Sequence, residues 1–131
     1  MKLLLDTPVL LWWLNGSSKL GKRARAAIAN PQSAVWVSAA VVWEIVIKDA
    51  LGRLAMAEPL DVCLPRELEQ LDFQRLPVSM AHALAVRSLA DHHADPFDRM
   101  LVAQATADGL VLVTADPVFR AYGVETLDAR R

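Results

Sequence analysis

A single cysteine, Cys63, occurs among the 131 residues, so no internal disulfide staples the chain. Its neighbours in Leu60-Asp61-Val62-Cys63-Leu64 make it a small buried hydrophobe rather than a reactive thiol, and the count suits a reducing cytoplasm. Long hydrophobic runs are also missing. The longest uncharged stretch, Ala26 to Trp43, is interrupted by Asn30-Pro31-Gln32-Ser33, which excludes a membrane helix there. The apolar amino end contains Asp6 and lacks a small-residue cleavage site, so it reads as strand plus helix, not as a signal peptide. Glycines are too few and too scattered for a phosphate-binding loop, and no serine lies in a nucleophile-elbow pattern. Charge of one sign is not in excess. A formal net charge of −1 gives no global pull toward nucleic acid, so a polyanion would have to be held by local basic groups or through a metal.

What is abundant is apolar side chain. Hydrophobic residues make up 54% of the chain, and the mean hydropathy of +0.27 is high for a small protein that must cover its own surface. An exposed apolar patch for a partner is expected. The length suits one domain spanning residues 1–131, burying roughly two thirds of the surface its unfolded form exposes.

Two distant stretches share one design. Lys2-Leu3-Leu4-Leu5 runs into Asp6-Thr7-Pro8, and Leu110-Val111-Leu112-Val113 runs into Thr114-Ala115-Asp116-Pro117. A short unbroken apolar run suits a strand covered on both faces, and the proline suits the first turn of a helix. In a parallel sheet both acids would sit at carboxyl ends of strands, the edge where open α/β folds bind ligands. Their pairing there points to a cation site.

Between these runs, strands and helices alternate. Helical segments are expected at Val9 to Asn15, Lys19 to Ala29, Ser38 to about Leu51, Leu60 to Leu71, Ser79 to about Leu89, Asp95 to Gly109, and a brief turn from Pro117 to Ala121. Further strands are expected at Ala34 to Val37, Arg75 to Val78 and Val124 to Leu127. This alternation predicts a parallel sheet of about five strands with about seven helices on its two faces, joined by right-handed crossovers.

Each acid has a bland explanation beside a chemical one. Asp6 and Asp116 suit helix caps, where a carboxylate gains about 0.3–1 kcal/mol from the dipole. Glu44 lies in a helix apolar nearly all round; it is either a thin solvated stripe paired with Lys48 or a buried carboxylate in need of a partner. In Asp95-Pro96-Phe97-Asp98, Asp95 suits the N-cap, whereas Asp98 projects toward the packed side of its helix. Asp98 is therefore the choice for chemistry and Asp95 for architecture. Four carboxylates converging to ~5 Å repel pairwise by ~3 kcal/mol at an effective dielectric near 20, so such a cluster needs a cation or a proton. All-oxygen donors favour Mg²⁺ or Mn²⁺, and the matching chemistry is metal-assisted phosphodiester hydrolysis.

The chain resembles the PIN-domain ribonucleases, and among them the VapC-like toxins of toxin and antitoxin pairs. The resemblance rests on Leu3-Leu4-Leu5-Asp6-Thr7 with Leu10-Leu11-Trp12, on Ser38 with Trp43-Glu44-Ile45 and Ile47-Lys48, on Asp95-Pro96-Phe97-Asp98-Arg99-Met100-Leu101 with Ala103-Gln104-Ala105, and on Thr114-Ala115-Asp116. It implies a three-layer α/β/α sandwich in which Asp6, Glu44, Asp98 and Asp116 hold Mg²⁺ or Mn²⁺. Thr7 and Thr114 are then supporting hydroxyls, with Ser38 and Asp95 as further supporting positions. It also implies endonucleolytic cleavage of RNA such as tRNA or ribosomal RNA, restraint by a small antitoxin protein, and a homodimer within a larger toxin and antitoxin complex. Pro8 departs from the pattern, since related sequences often carry a polar residue after Asp-Thr.

Other signals receive simpler readings. His92-His93-Ala94-Asp95 could suggest a transition-metal site, but with no second cluster of ligands it is taken as a solvated loop before a capped helix, and His82 as an isolated helical residue. Trp12, Trp13, Trp36 and Trp43 are assigned to core or partner surface, and one of the adjacent pair Trp12 and Trp13 is expected to meet another chain. Lys19, Lys22, Arg23 and Arg25 form a solvated face, with phosphate contact as the alternative. Two other functions stand beside the nuclease: a catalytically silent binding module, and an aspartyl-phosphate phosphatase opened by Asp6. The second is disfavoured because Pro8 occupies the place where such enzymes typically carry a second aspartate.

Overall fold

The computed structural model describes residues 1–131. Five strands form one sheet in the order β3-β2-β1-β4-β5, with every neighbouring pair parallel. They are β1 (Lys2–Leu5), β2 (Ala34–Ser38), β3 (Gln74–Leu76), β4 (Val111–Thr114) and β5 (Thr126–Asp128). Six α-helices accompany them: α1 (Thr7–Asn15), α2 (Lys22–Ala29), α3 (Ala39–Ala50), α4 (Leu60–Gln70), α5 (Met80–Ala85) and α6 (Pro96–Asp108). Two 3₁₀ segments, Val86–Ser88 and Pro117–Tyr122, complete the chain. No helix is long and apolar enough to cross a membrane.

The central strands are apolar because both faces are covered. Leu3, Leu4 and Leu5 are fully buried, as are Leu112 and Val113 opposite them, and each such side chain contributes about 1.5–3 kcal/mol of burial. The chain builds outward from β1 to β2 and β3, then returns across the sheet to β4 and β5. Strand order therefore reverses between β1 and β4, and the crevice at the carboxyl ends of those two strands is the switch point where such sheets bind ligands.

Capping residues set the helix starts. Asp6 accepts from the Thr7 N–H at 2.8 Å, so α1 begins at Thr7, two residues before the expected Val9. Ser38 caps α3 through the Ala40 N–H, and Asp95 caps α6 through the N–H groups of Phe97 and Asp98. Gly16 and Gly109 close α1 and α6 in the left-handed region that favours glycine. α2 starts at Lys22 rather than Lys19, because Ser17 to Leu20 forms a turn and Gly21 serves as the cap. Gly21 also meets the other end of the chain: its N–H donates to the Ala129 carbonyl at 2.9 Å, and a Cβ there would lie 2.2 Å from the Arg131 carbonyl carbon.

The seven expected helical segments all form, with one subdivision. The segment expected from Ser79 to Leu89 is α-helical only to Ala85 and continues as a 3₁₀ turn, where Arg99 Nη2 takes the Val86 carbonyl. β3 lies at Gln74–Leu76 instead of Arg75 to Val78, since Pro77 has no N–H to continue the ladder. β5 lies at Thr126–Asp128 instead of Val124 to Leu127, in register with Leu112 to Thr114.

Candidate active site

At the switch point lies a pocket of about 500 Å³ lined by Asp6, Glu44, Asp98 and Asp116. β1 delivers Asp6, β4 delivers Asp116 two residues past its end, and the helices α3 and α6 bring Glu44 and Asp98. All four acids singled out in the sequence thus face one cavity. Asp95, Thr7, Lys48 and Arg130 also line it, and Trp12 gives it an apolar wall.

Hydrogen bonds join the acids in a continuous network. Thr114 Oγ1 donates to Asp6 Oδ2 at 2.7 Å and accepts from the Asp116 N–H at 3.0 Å. Thr7 Oγ1 donates to Glu44 Oε1 at 2.6 Å, while Lys48 Nζ is paired with Glu44 Oε2. Glu44 is 5% exposed and so is the buried carboxylate, not part of a solvated stripe, although the pair with Lys48 one helical turn on also forms. Ser38 lies outside the pocket lining. Its hydroxyl donates to Gln104 Oε1 at 2.6 Å, and Gln104 Nε2 donates to the Pro77 carbonyl, so the pair ties α6 to the ends of β2 and β3.

Burial and mutual repulsion raise two of the carboxyls, those of Asp6 and Asp98. Asp6 is pushed up to about 6, first by burial and then by Glu44 and Asp116, against the lowering hydrogen bonds from Thr114 and Thr7. Asp98 is pushed up to about 8 by burial and then by Asp6, Asp95, Glu44 and Asp116. Near neutral pH the metal-free cluster thus retains a proton. A partly buried, self-repelling set of carboxylate oxygens fits a hard divalent cation, which would relieve the same repulsion.

Two histidines are placed differently from their sequence readings. His93 is half-buried, with Nε2 at 2.8 Å from Asp98 Oδ2 and 3.8 Å from Asp116 Oδ2, so the segment before α6 is organised around the acids rather than simply solvated. His82 is not isolated: it forms a reciprocal capping box with Ser79, and its Nε2 lies 3.1 Å from Asp108 Oδ2, pinning α5 to α6. Neither period nor cap marks His93: the His92-His93-Ala94-Asp95 run has no second ligand cluster in the sequence, and the contacts to Asp98 and Asp116 arise only in the fold. The two adjacent tryptophans point to different places. Trp13 packs on Phe73 at 5.9 Å and its Nε1 donates to Glu67 at 3.4 Å, whereas Trp12 turns to the pocket.

A parallel three-layer α/β/α domain with four carboxylates at its switch point defines a class of acidic-pocket proteins. Residues 3–125 match the PIN domain, and the chain belongs to that family. Solved structures agree. A chain of VapBC2 from Rickettsia felis, bound to a DNA fragment from their promoter, superposes with a TM-score of 0.73 at 14% identity, covering 98% of each chain. FitAcB from Neisseria gonorrhoeae gives 0.68 at 27% identity over 97% of each chain, and a toxin–antitoxin complex from Klebsiella pneumoniae gives 0.54 at 20% identity over 86% of this chain and 85% of that one. No curated protein sequence matches the chain. The fold is the VapC-like PIN fold that the sequence resemblance implied.

Proposed function

We propose that this protein is a divalent-metal-dependent endoribonuclease acting as the toxin of a toxin and antitoxin pair. The observation that carries the reading is the convergence of Asp6, Glu44, Asp98 and Asp116 on one pocket at the switch point of a PIN fold. Asp6, Asp98 and Asp116 present carboxylates to hold Mg²⁺ or Mn²⁺, and Glu44 completes the set. When bound, the cation supplies neutralisation of the phosphate and acidification of a water molecule. Thr7 and Thr114 fix the rotamers of Glu44 and Asp6, so neither carboxylate has to reorganise on binding. Arg130 and Lys48 give the acidic pocket its positive rim, suited to a phosphodiester on either side of the scissile bond.

The partner in this reading is a small antitoxin protein. Support comes from the toxin–antitoxin complex among the structural neighbours and from an apolar strip on α3 and its C-cap, where Trp43, Val46 and Leu51 are each at least half exposed. The same strip suits a second copy of the chain, and the location in this reading is the cytoplasm, whose reducing conditions suit a chain with one cysteine. Incubation of purified protein with tRNA and ribosomal RNA tests the activity. Discrete cuts in Mg²⁺ or Mn²⁺, abolished by EDTA and by Asp98→Asn, are the expected result; RNA left intact by folded protein that binds no metal would overturn it in favour of a silent module.

A further inference from the structure

His93 lies outside the acidic quartet, yet the structure builds a support for it. Arg99, on the turn of α6 after Asp98, is spent on the segment that carries His93: the two N–H groups of Nη1 are shared among the carbonyls of Ala90 at 2.9 Å and His93 at 3.4 Å and the Tyr122 hydroxyl at 3.3 Å, and Nη2 donates to the Val86 carbonyl. His92 packs edge-on against Tyr122 at 5.0 Å, and His93 against Phe119 at 6.4 Å. A guanidinium holding two carbonyls of one loop and a third in the 3₁₀ turn before it fixes that loop's backbone, which carries His93.

The ring is also fixed in its tautomer. Nδ1 faces the N–H of Asp95 at 3.3 Å and must accept, so the proton of a neutral imidazole resides on Nε2, which points at Asp98 Oδ2 at 2.8 Å. A nitrogen that donates has no lone pair for a cation. From this geometry we infer that His93 is a positioning residue that donates from Nε2 to Asp98, setting the carboxylate's rotamer and leaving its other oxygen free toward the pocket, with Arg99 holding the loop that presents it. Histidine as a fifth ligand is the competing arrangement, since one atom each of His93, Asp98 and Asp116 lies within 4.8 Å of the others. The inference rests on the quartet being a cation site.

Mn²⁺ affinity, measured by electron paramagnetic resonance on wild type, His93→Gln, His93→Ala and Asp98→Asn, separates the possibilities. Glutamine can offer an N–H where the imidazole does, so His93→Gln should bind within a few-fold of wild type. His93→Ala should lose about 10- to 100-fold, as supporting hydrogen-bond partners of ligands do, with its metal-free unfolding midpoint little changed. Arg99→Lys, which keeps the charge but not the fork, should fall between them. Wild-type affinity in His93→Ala would overturn the inference, and equal losses in the Gln and Ala variants would replace it with direct ligation. If Asp98→Asn binds as tightly as wild type, or wild type binds nothing, the cation site itself fails instead.

Discussion

The hydroxyl of Thr114 donates to Oδ2 of Asp6 at 2.7 Å, joining two residues 108 positions apart across the central strand pair. The same oxygen accepts from the Asp116 N–H, so one threonine sets the spacing of two acids from different strands. Thr114→Val keeps the shape and removes both bonds. Loss of about 1–3 kcal/mol in urea unfolding is predicted, because a buried carboxylate oxygen and an N–H lose their partner, while Thr114→Ser should retain most of the stability.

The raised carboxyls dictate how metal-free stability depends on pH. Unfolded, Asp6 and Asp98 release protons near the ordinary value of 3.8; folded, they hold them up to about 6 and about 8. Between these limits the native state binds more protons than the unfolded one, so the contribution of both groups to stability falls as pH rises from about 4 through 8. For the buried Asp6 this amounts to a loss on the order of 3 kcal/mol. Denaturant titrations in EDTA should show the decline, and Asp98→Asn should flatten its upper part and be more stable than wild type at pH 8.

Cation binding should invert that trend. Mn²⁺ competes with protons for the same oxygens, so its stabilising effect should be larger at pH 8 than at pH 5. At a hundredfold excess over Kd it should reach about 2.7 kcal/mol in thermal or chemical unfolding, and Asp98→Asn should lose most of it.

Gly21 tests how closely the segment before α2 packs on Arg130 and Arg131. Its missing Cβ leaves room for the backbone of Arg130 and Arg131, which an alanine would meet at 2.2–2.5 Å. Gly21→Ala should cost about 1–3 kcal/mol by overpacking, and, since it displaces Arg130 at the pocket wall but none of the acids, Mn²⁺ affinity in titrations of the folded protein should change far less than in Asp98→Asn.

The parts of this structure legible in the sequence are those where local chemistry and tertiary role coincide. Leu3 to Leu5 and Leu110 to Val113 are apolar throughout because both faces are covered, and the caps Asp6, Ser38, Asp95 and Asp116 mark helix starts by the same oxygens that bond N–H groups in the structure. The edge strands shifted by a residue or two, since their few side chains do not fix the ladder: Pro77 ends β3, and Thr126 enters β5 through pairing with Leu112. His93 was illegible because its meaning arises from contacts across chain segments, with Asp98, Asp116 and the Arg99 clamp, and no period or cap in the sequence announces them. Glu44 was ambiguous for a different reason: burial and the Lys48 pair are compatible at the pocket wall, where a lysine reaches solvent while its partner does not.

The central claim is that the four acids form one cation site. A crystal soaked in Mn²⁺ and measured at a wavelength where manganese scatters anomalously tests it directly. A peak in the pocket bounded by Asp6, Asp98 and Asp116, absent from Asp98→Asn crystals, is the predicted result. No peak there under Mn²⁺ concentrations that saturate other manganese proteins, or a peak elsewhere on the surface alone, would contradict the account.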